Sequence, residues 1–395
     1  MNLNKFFADL HIHIGRASSG QAVKITASDK LNFSNIAYEA FNRKGLDVVG
    51  VIDSASPDVI TDIENMLNSG LLKELEYGGL LFKDELLIIP GAEVESREKN
   101  GGQAHYLAYF PFLENLKEFS EIMSQYITNI NLSSQSTGLD GAEIYKIVKL
   151  CSGILIPAHA FTPHKSFYGN AFSTYKEVFS DDEWADIPAI ELGLSADTEL
   201  ADYLPELRSK SFLSNSDAHS VGKIAREYNI FEIKNLNFKE FELALKNKDG
   251  RRISENYGMD PRLGKYHRSY CPECDKTFSS EKIVNVCPLC DSEKLITGVK
   301  DRVLNISGNK KSISPDFRGK YTYQVPLMNL PGIGNKRLEK LINELGTEME
   351  IIHDKSYQEI SSVVGEKIAD IIFKSRKGTL NIESGGGGNY GKVIE

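Results

Sequence analysis

Long apolar runs are missing from this 395-residue chain. None approaches the ~18 residues that a spanning helix needs, which excludes helical membrane functions. A secretory leader is not expected either: MNLNKFF is followed at once by Asp9, and its apolar core is short. A cytoplasmic protein without a membrane partner is the expectation. An excess of positive charge is also missing. The formal net charge is −9, which argues weakly against nucleic acid, but the total hides an asymmetry. Residues 263–395 hold 20 Lys+Arg and 17 Asp+Glu, or +3; the first 262 hold 26 and 38, or −12. An acidic N-terminal part suits cations, and a less acidic C-terminal part can meet phosphate. Cysteine is scarce, with five residues, and histidine nearly so, with eight. The positions of these few residues carry most of the information. The remaining composition, 41% hydrophobic and 26% charged, is that of an ordinary globular protein, and the length predicts two or three domains.

Residues 6–20 read FFADLHIHIGRASSG, a β-prone apolar run that stops at Gly15. Side chains alternate along a strand, so His11 and His13 share a face. Two imidazoles there can hold a metal ion, or can simply be satisfied by hydrogen bonds. Further apolar segments end in polar residues of the same kind. They place Asp53, Glu93 and Glu95, His105, His159 and His164, Glu191, and Asp217 with His219 along the first 235 residues. Helix-like stretches at 34–44, 58–75 and 140–151 lie between them. Strands alternating with helices predict a parallel sheet or barrel, whose strand ends would bring these residues together.

HxH near the N-terminus, GxE at 91–93, His105, PxH at 157–159 and DxH at 217–219 resemble the polymerase-and-histidinol-phosphatase (PHP) family. The resemblance implies an α/β fold, a distorted seven-stranded β/α barrel holding two or three divalent metals (Zn2+, Mn2+ or Mg2+), and cleavage of phosphate esters. It implies His11, His13, Glu93, His105, His159, Asp217 and His219 as ligands, with Asp217, His219 and Glu93 serving catalysis. Asp53 is a further candidate ligand. It stands in Ile52-Asp53-Ser54 where the family has Thr-Asp-His, so one metal position is expected to be altered. His164 is not expected to touch metal. Mixed imidazole and carboxylate donors suit zinc, manganese or iron better than an all-oxygen magnesium site. Metals a few ångströms apart can acidify a water and stabilise attacking and leaving oxygens together.

Residues 271–290 read CPECDKTFSSEKIVNVCPLC. Two CxxC turns at this spacing predict a closed four-thiolate zinc site of Cys271, Cys274, Cys287 and Cys290. Two disulfides are the alternative, disfavoured in a cytoplasmic protein. A closed site leaves no position for substrate, so a scaffolding or DNA-contacting zinc ribbon is expected. Cys151, in an apolar context, is expected to be a buried small side chain.

Residues 327–345 read LMNLPGIGNKRLEKLINEL, with Leu338, Leu341, Ile342 and Leu345 at helical spacing. Gly332 and Gly334 let backbone amides project at a helix start, an anion site suited to DNA phosphate. Lys336, Arg337 and Lys340 add charge. The stretch resembles a helix-hairpin-helix, with a weaker second copy at 363–372; a plain helical bundle is the alternative. Residues 300–340 hold nine Lys+Arg against three acids, and Tyr321 and Tyr323 are candidates for base stacking. The glycine-rich tail ESGGGGNYGKVIE is expected to be flexible.

The three parts in this order resemble the endonuclease Q family of DNA repair enzymes. The resemblance implies incision of the phosphodiester 5′ of a deaminated base (uracil, hypoxanthine or xanthine) or of an abasic site. The expected domains are a barrel over 1–262, a zinc ribbon over 263–300, and a small all-α helix-hairpin-helix domain with the tail over 301–395. Lys165 and Arg226 are further candidates for DNA phosphate. Phe161, Phe167 and Tyr168 are a candidate pocket wall for a flipped base, with plain packing of the barrel mouth as the alternative. A small-molecule phosphatase and a non-catalytic DNA-binding protein are the alternatives. The sequence is silent on a sliding clamp.

Overall fold

The computed structural model describes residues 3–278, 284–308 and 310–394. The described residues form sixteen strands. They are β1 (Asn4–Ile12), β2 (Val48–Val51), β3 (Leu72–Glu74), β4 (Leu80–Phe82), β5 (Leu86–Glu95), β6 (His105–Tyr109), β7 (Ile154–Pro157) and β8 (Ala189–Glu191). After these come β9 (Ser211–Leu213), β10 (Tyr228–Ile233), β11 (Arg252–Gly258), β12 (Tyr270–Cys271), β13 (Lys276–Thr277), β14 (Lys320–Tyr323), β15 (Asn381–Glu383) and β16 (Lys392–Ile394). The fold is mixed α/β.

Ten strands make one sheet in the order β14-β11-β10-β1-β2-β5-β4-β3, with β6 and β7 branching from β5. β1, β2 and β5 pair in parallel, as helical connections require. The expected alternation then fails: β5, β6 and β7 are antiparallel neighbours. The change occurs at Pro90-Gly91, where β5 leaves β2 and takes β6. A Cβ on Gly91 would lie 2.6 Å from the Ala108 carbonyl, so only glycine admits this exchange of partners. β8 and β9 form a parallel pair of their own. Backbone bonds join this pair to its flanks. Ala160 donates to the Glu191 carbonyl (2.8 Å), and Ala218 and His11/His13 exchange bonds of 3.1 Å across to β1.

Alternation along β1 sets the burial. Ala8 and Leu10 enter an apolar cluster with Val48, Leu87, Ile89 and Phe241, and Asp9, His11 and His13 face the other way. Among the described residues, no helix is long and apolar enough to cross a membrane.

β12 and β13 form the first knuckle of the cysteine unit. Residues 279–283, part of the expected ribbon, lie outside the described residues. The boundary expected at 300/301 falls inside helix Val299–Ser307. Residues 301–395 are also not all-α. The alternating Lys-Tyr-Thr-Tyr of β14 pairs in parallel with β11 and belongs to the main sheet. Helices Asn335–Leu345, Glu348–His353, Tyr357–Val364 and Glu366–Arg376 follow. A buried Lys44–Glu348 pair (2.7 Å) and a 2.7 Å hydrogen bond between Tyr228 and His353 fasten them to the body.

The tail differs from expectation. β15 and β16 form a hairpin, and Gly385 and Gly391 donate to the carbonyls of Arg262 and Leu263 (2.7 and 3.0 Å). Its glycines serve close approach: a Cβ on Gly391 would lie 2.4 Å from the Glu383 carbonyl.

Candidate metal centre

His11 is the penultimate residue of β1, His13 follows the strand's last residue, and Glu93 lies in β5. His105 opens the antiparallel β6, His159 follows β7, and Asp217 and His219 follow β9. All seven meet at one end of the sheet. Three sets each bring ligand atoms within 4.8 Å of one another: His11-His13-Glu93, His13-Asp217-His219, and Glu93-His105-His159. Glu93 faces two ways. Its Oε1 lies 2.9 Å from His105 Nδ1, 3.5 Å from His159 Nε2 and 3.6 Å from His11 Nε2. Its Oε2 lies 2.9 Å from Lys24 Nζ and 3.9 Å from His13 Nε2.

The imidazoles are aimed by acids behind them. His11 Nδ1 bonds both oxygens of Glu191 (2.9 and 3.1 Å), and His13 Nδ1 bonds Asp53 (3.0 Å). The Nε2 atoms of His11 and His13 therefore point inward and lie 3.3 Å apart, with Asp217 Oδ1 at 3.6 and 3.3 Å. Two buried imidazole nitrogens facing one another and a carboxylate fit a shared divalent cation, and a carboxylate behind each ring is the usual support for a metal-binding histidine. Glu191 also accepts from the His159 backbone (2.6 Å) and Asn215 (2.8 Å). His159 and Asp217 hold left-handed backbone (φ 27° and 46°), strained for these residues and stored at the site.

The electrostatics follow from burial and crowding. Burial alone would pull His11 down, but Glu191, Asp217 and Glu93 outweigh it and raise it to about 10. Burial would push Glu93 and Asp217 up. His105 and Lys24 hold Glu93 well below the usual range, and His11 and His13 do the same for Asp217. These carboxylates stay ionised and ready to bind cations.

Asp53, a further candidate ligand, belongs to none of the three sets. It is an orienting group, accepting from His13 Nδ1 and from the Ile14 backbone (2.7 Å). Lys165 reaches the rim, with Nζ 2.6 Å from Glu95 Oε2. Arg226, a candidate for phosphate, donates to the carbonyls of Ser216 (2.6 Å) and Asp217 (3.3 Å), bracing the Asp217 turn. His164 packs edge-on against Tyr266 and is in none of the sets. Phe161, Phe167 and Tyr168 do not form a pocket wall. All three are buried, with Phe167 packed on Phe172 and Trp184 and the Tyr168 hydroxyl donating to Glu206. The open cleft beside His159 and Asp217 is lined instead by Tyr266, Tyr390 and Lys265. Sequence reasoning placed Glu191 and Glu95 at strand ends without assigning them roles, and passed over Lys24, which has no motif around it.

Cys271 and Cys290 sulfurs lie 3.7 Å apart, and those of Cys274 and Cys287 3.5 Å. All four are free thiols within 4.8 Å of one another. Bonds of about 2.3 Å to a tetrahedral zinc give edges of this length. Asp275 and Asp291, each following a CxxC, share φ 53°, so the two knuckles turn alike. Cys151 is a buried free thiol, as expected.

In the helical unit, Gly332 (φ 81°) and Gly365 (φ 84°) turn the chain into helices Asn335–Leu345 and Glu366–Arg376. Lys336 is exposed. Arg337 donates to the Gly332 carbonyl, and Lys340 to that of Val363 (2.8 Å), so these two side chains bind the glycine turns. Tyr321 and Tyr323, candidates for stacking, use their hydroxyls on the Met259 carbonyl and on Asp197.

No protein-family model matches this chain. A Bacillus subtilis protein, described as uncharacterised protein YqxK, is 42% identical over 393 residues, 99% of this chain and 100% of that protein. The structure of the lesion-specific endonuclease PfuEndoQ from Pyrococcus furiosus is similar, with TM-score 0.83 and 32% identity over 99% of this chain and 95% of that one. A structure of Endonuclease Q, in complex with a 27-mer duplex substrate carrying an abasic lesion at the active site, gives TM-score 0.82 and 32% identity over 99% of this chain and 96% of that one.

Proposed function

This chain belongs to the endonuclease Q family, and from that premise we propose that it is a DNA repair endonuclease that cuts the phosphodiester 5′ of deaminated bases (uracil, hypoxanthine, xanthine) or abasic sites. It is a metal-dependent nuclease. The observation that carries the reading is the convergence of His11, His13, Glu93, His105, His159, Asp217 and His219 from five separate strand ends on one cation-binding cluster.

Divalent ions held there would polarise a phosphodiester and lower the pKa of water. The chain's own contribution is placement. Glu191 and Asp53 fix the imidazoles, and Glu93 joins two ligand sets through its two oxygens. Arg226 and the strained turn hold Asp217 where it faces both His11 and His13, in position to orient a nucleophile. The cleft between Tyr266 and Tyr390 opens beside Asp217, and we assign the everted nucleotide to it. We read β1, β2, β5, β6, β7, β8 and β9 as the seven-strand PHP barrel, closed by the Ala160–Glu191 and Ala218–His11 bonds. The paired glycine turns at 332 and 365 support a double helix-hairpin-helix gripping the duplex backbone, with the exposed Lys336 and the rim Lys165 meeting phosphates. The four thiolates would hold structural Zn2+.

End-labelled duplex DNA carrying one uracil or one abasic site, with magnesium or manganese, tests this. A nick immediately 5′ of the lesion, absent on undamaged duplex and lost in Asp217→Asn, is expected. No nick at any lesion with metal bound in the barrel overturns it.

A further inference from the structure

Lys24 is a buried ammonium that motif reasoning leaves unused. It lies between β1 and the first helix, and its backbone is pinned there: Lys24 donates to the Ile14 carbonyl (2.9 Å), and Ser133 donates to that of Val23 (3.0 Å). Its side chain is 13% exposed and reaches across to β5. Nζ donates to Glu93 Oε2 (2.9 Å) and Ser134 Oγ (2.5 Å), and Ser134 also donates to the same Glu93 oxygen. An ammonium has three N–H donors, so one is left for another acceptor.

Glu93 does not need this partner to be satisfied as a buried acid, because His105 already serves its Oε1. Burying an ammonium costs desolvation, and apolar residues of similar volume commonly fold as well or better in such places. Its position answers a different need. A phosphodiester approaching Asp217 and Glu93 meets two carboxylates, and a fixed positive charge on Glu93 Oε2 lowers that repulsion. The same charge acts against a divalent ion drawn to Glu93.

We propose that the Lys24 ammonium is a resident cation of this site, holding Glu93 Oε2, weakening the grip of the site on divalent ions, and giving its remaining N–H to a non-bridging oxygen of the scissile phosphodiester. The catalytic half rests on the nuclease reading above; the metal half does not. Lys24 forms no bond to phosphorus. It meets the charge that accumulates on the non-bridging oxygens as water forms its bond to phosphorus and the ester oxygen departs with the proton that the water gives up.

The test uses the full chain, stripped with a chelator and restored with one equivalent of zinc for the four thiolates, which prefer it to manganese. Manganese is then titrated and the free ion followed by electron paramagnetic resonance. Lys24→Gln is expected to bind manganese about tenfold tighter, since a like charge beside the ion is gone. Its kcat on uracil duplex is expected to fall about 10²–10³-fold, the usual loss of one preorganised donor. KM should change by less than about threefold, and Lys24→Arg should keep the wild-type manganese affinity. Lys24→Met, which keeps the buried stem, replaces Lys24→Gln if that variant does not fold. Unchanged or weaker manganese binding in the neutral variant overturns the proposal, as does a kcat within about threefold of wild type. If the wild-type chain nicks nothing, the nuclease reading and the phosphate role fall together, and the manganese titration alone decides whether Lys24 opposes the metal.

Discussion

Replacing Glu227 by glutamine should change how stability depends on pH. Glu227 is 1% exposed, between Arg226 and β10; its Oε1 accepts from the Met259 backbone (2.8 Å), and its Oε2 has no hydrogen-bond partner among the described residues. Burial raises its pKa from 4.5 to about 8, against the opposing bond from Met259. The folded state therefore keeps a proton that the unfolded chain gives up. The stability this provides is complete below pH 4.5 and is lost as pH rises towards about 8. Each pH unit in that window costs about 1.4 kcal/mol. The nominal span of 3.5 units, from 4.5 to about 8, is then about 5 kcal/mol, and water entry into real interiors lowers such penalties. A glutamine keeps the acceptor for Met259 and cannot ionise. Its amide protons, if unpaired, cost about 1–3 kcal/mol at every pH. Urea denaturation of both proteins at pH 5, 6, 7 and 8.5 reads the difference. Glu227→Gln should gain about 2–4 kcal/mol on wild type between the lowest and highest pH. Two curves that stay parallel within about 0.5 kcal/mol would refute the claim that this carboxyl is buried and protonated.

Glu191→Gln should lower the affinity of the barrel for manganese or zinc about 10–100-fold, because His11 loses the carboxylate that sets its ring and tautomer; competition with a chromogenic chelator measures this, and unchanged affinity would contradict the assigned support. Lys336→Ala should reduce the slope of log K against log salt for duplex binding by about one, since this lysine is free to meet a phosphate. Arg337→Ala should instead loosen the turn whose Gly332 carbonyl it holds, seen as faster amide exchange at 330–334. Burial lowers His353 from 6.5 to about 4, so its neutral ring supports the docked helical unit fully above pH 6.5 and progressively less as pH falls towards 4, by about 3 kcal/mol in total. An imidazole NMR titration with its midpoint near 6.5 would remove that expectation.

The residues that sequence reading located best announce themselves through local geometry. HxH puts two rings on one strand face, DxH ends another segment, and each CxxC closes one turn, so a few neighbouring letters suffice. Glu191 stood at a recognisable strand end, yet its task was hidden, because it lies behind His11 across 180 positions of sequence. Lys24 meets Glu93 over 69 positions with no spacing rule to announce it. Charge by itself did not announce that Arg226, Arg337 and Lys340 each place a donor on a backbone carbonyl. Aromatic residues after a strand misled at Phe161, Phe167 and Tyr168, since a strand end can feed either the mouth or the layer beneath it. The antiparallel β6 hid behind the strand-helix rhythm of its neighbours. Glycine in the tail read as freedom, whereas here it permits contact closer than any Cβ allows.

The two-sided use of Glu93 makes position 93 intolerant even of its isostere. Glutamine has the same shape but offers one oxygen and one amide. Turned one way, its N–H groups confront the Lys24 ammonium and the Ser134 hydroxyl; turned the other, they confront His105, His159 and His11. Either rotamer sets donor against donor or denies oxygen to a ligand set. Aspartate, one methylene shorter, reaches neither group at the present spacing. Evolutionary drift at this centre is therefore expected to begin at rim positions such as Lys165 and to reach Glu93 last, with a chain that has lost Glu93 already released from the chemistry.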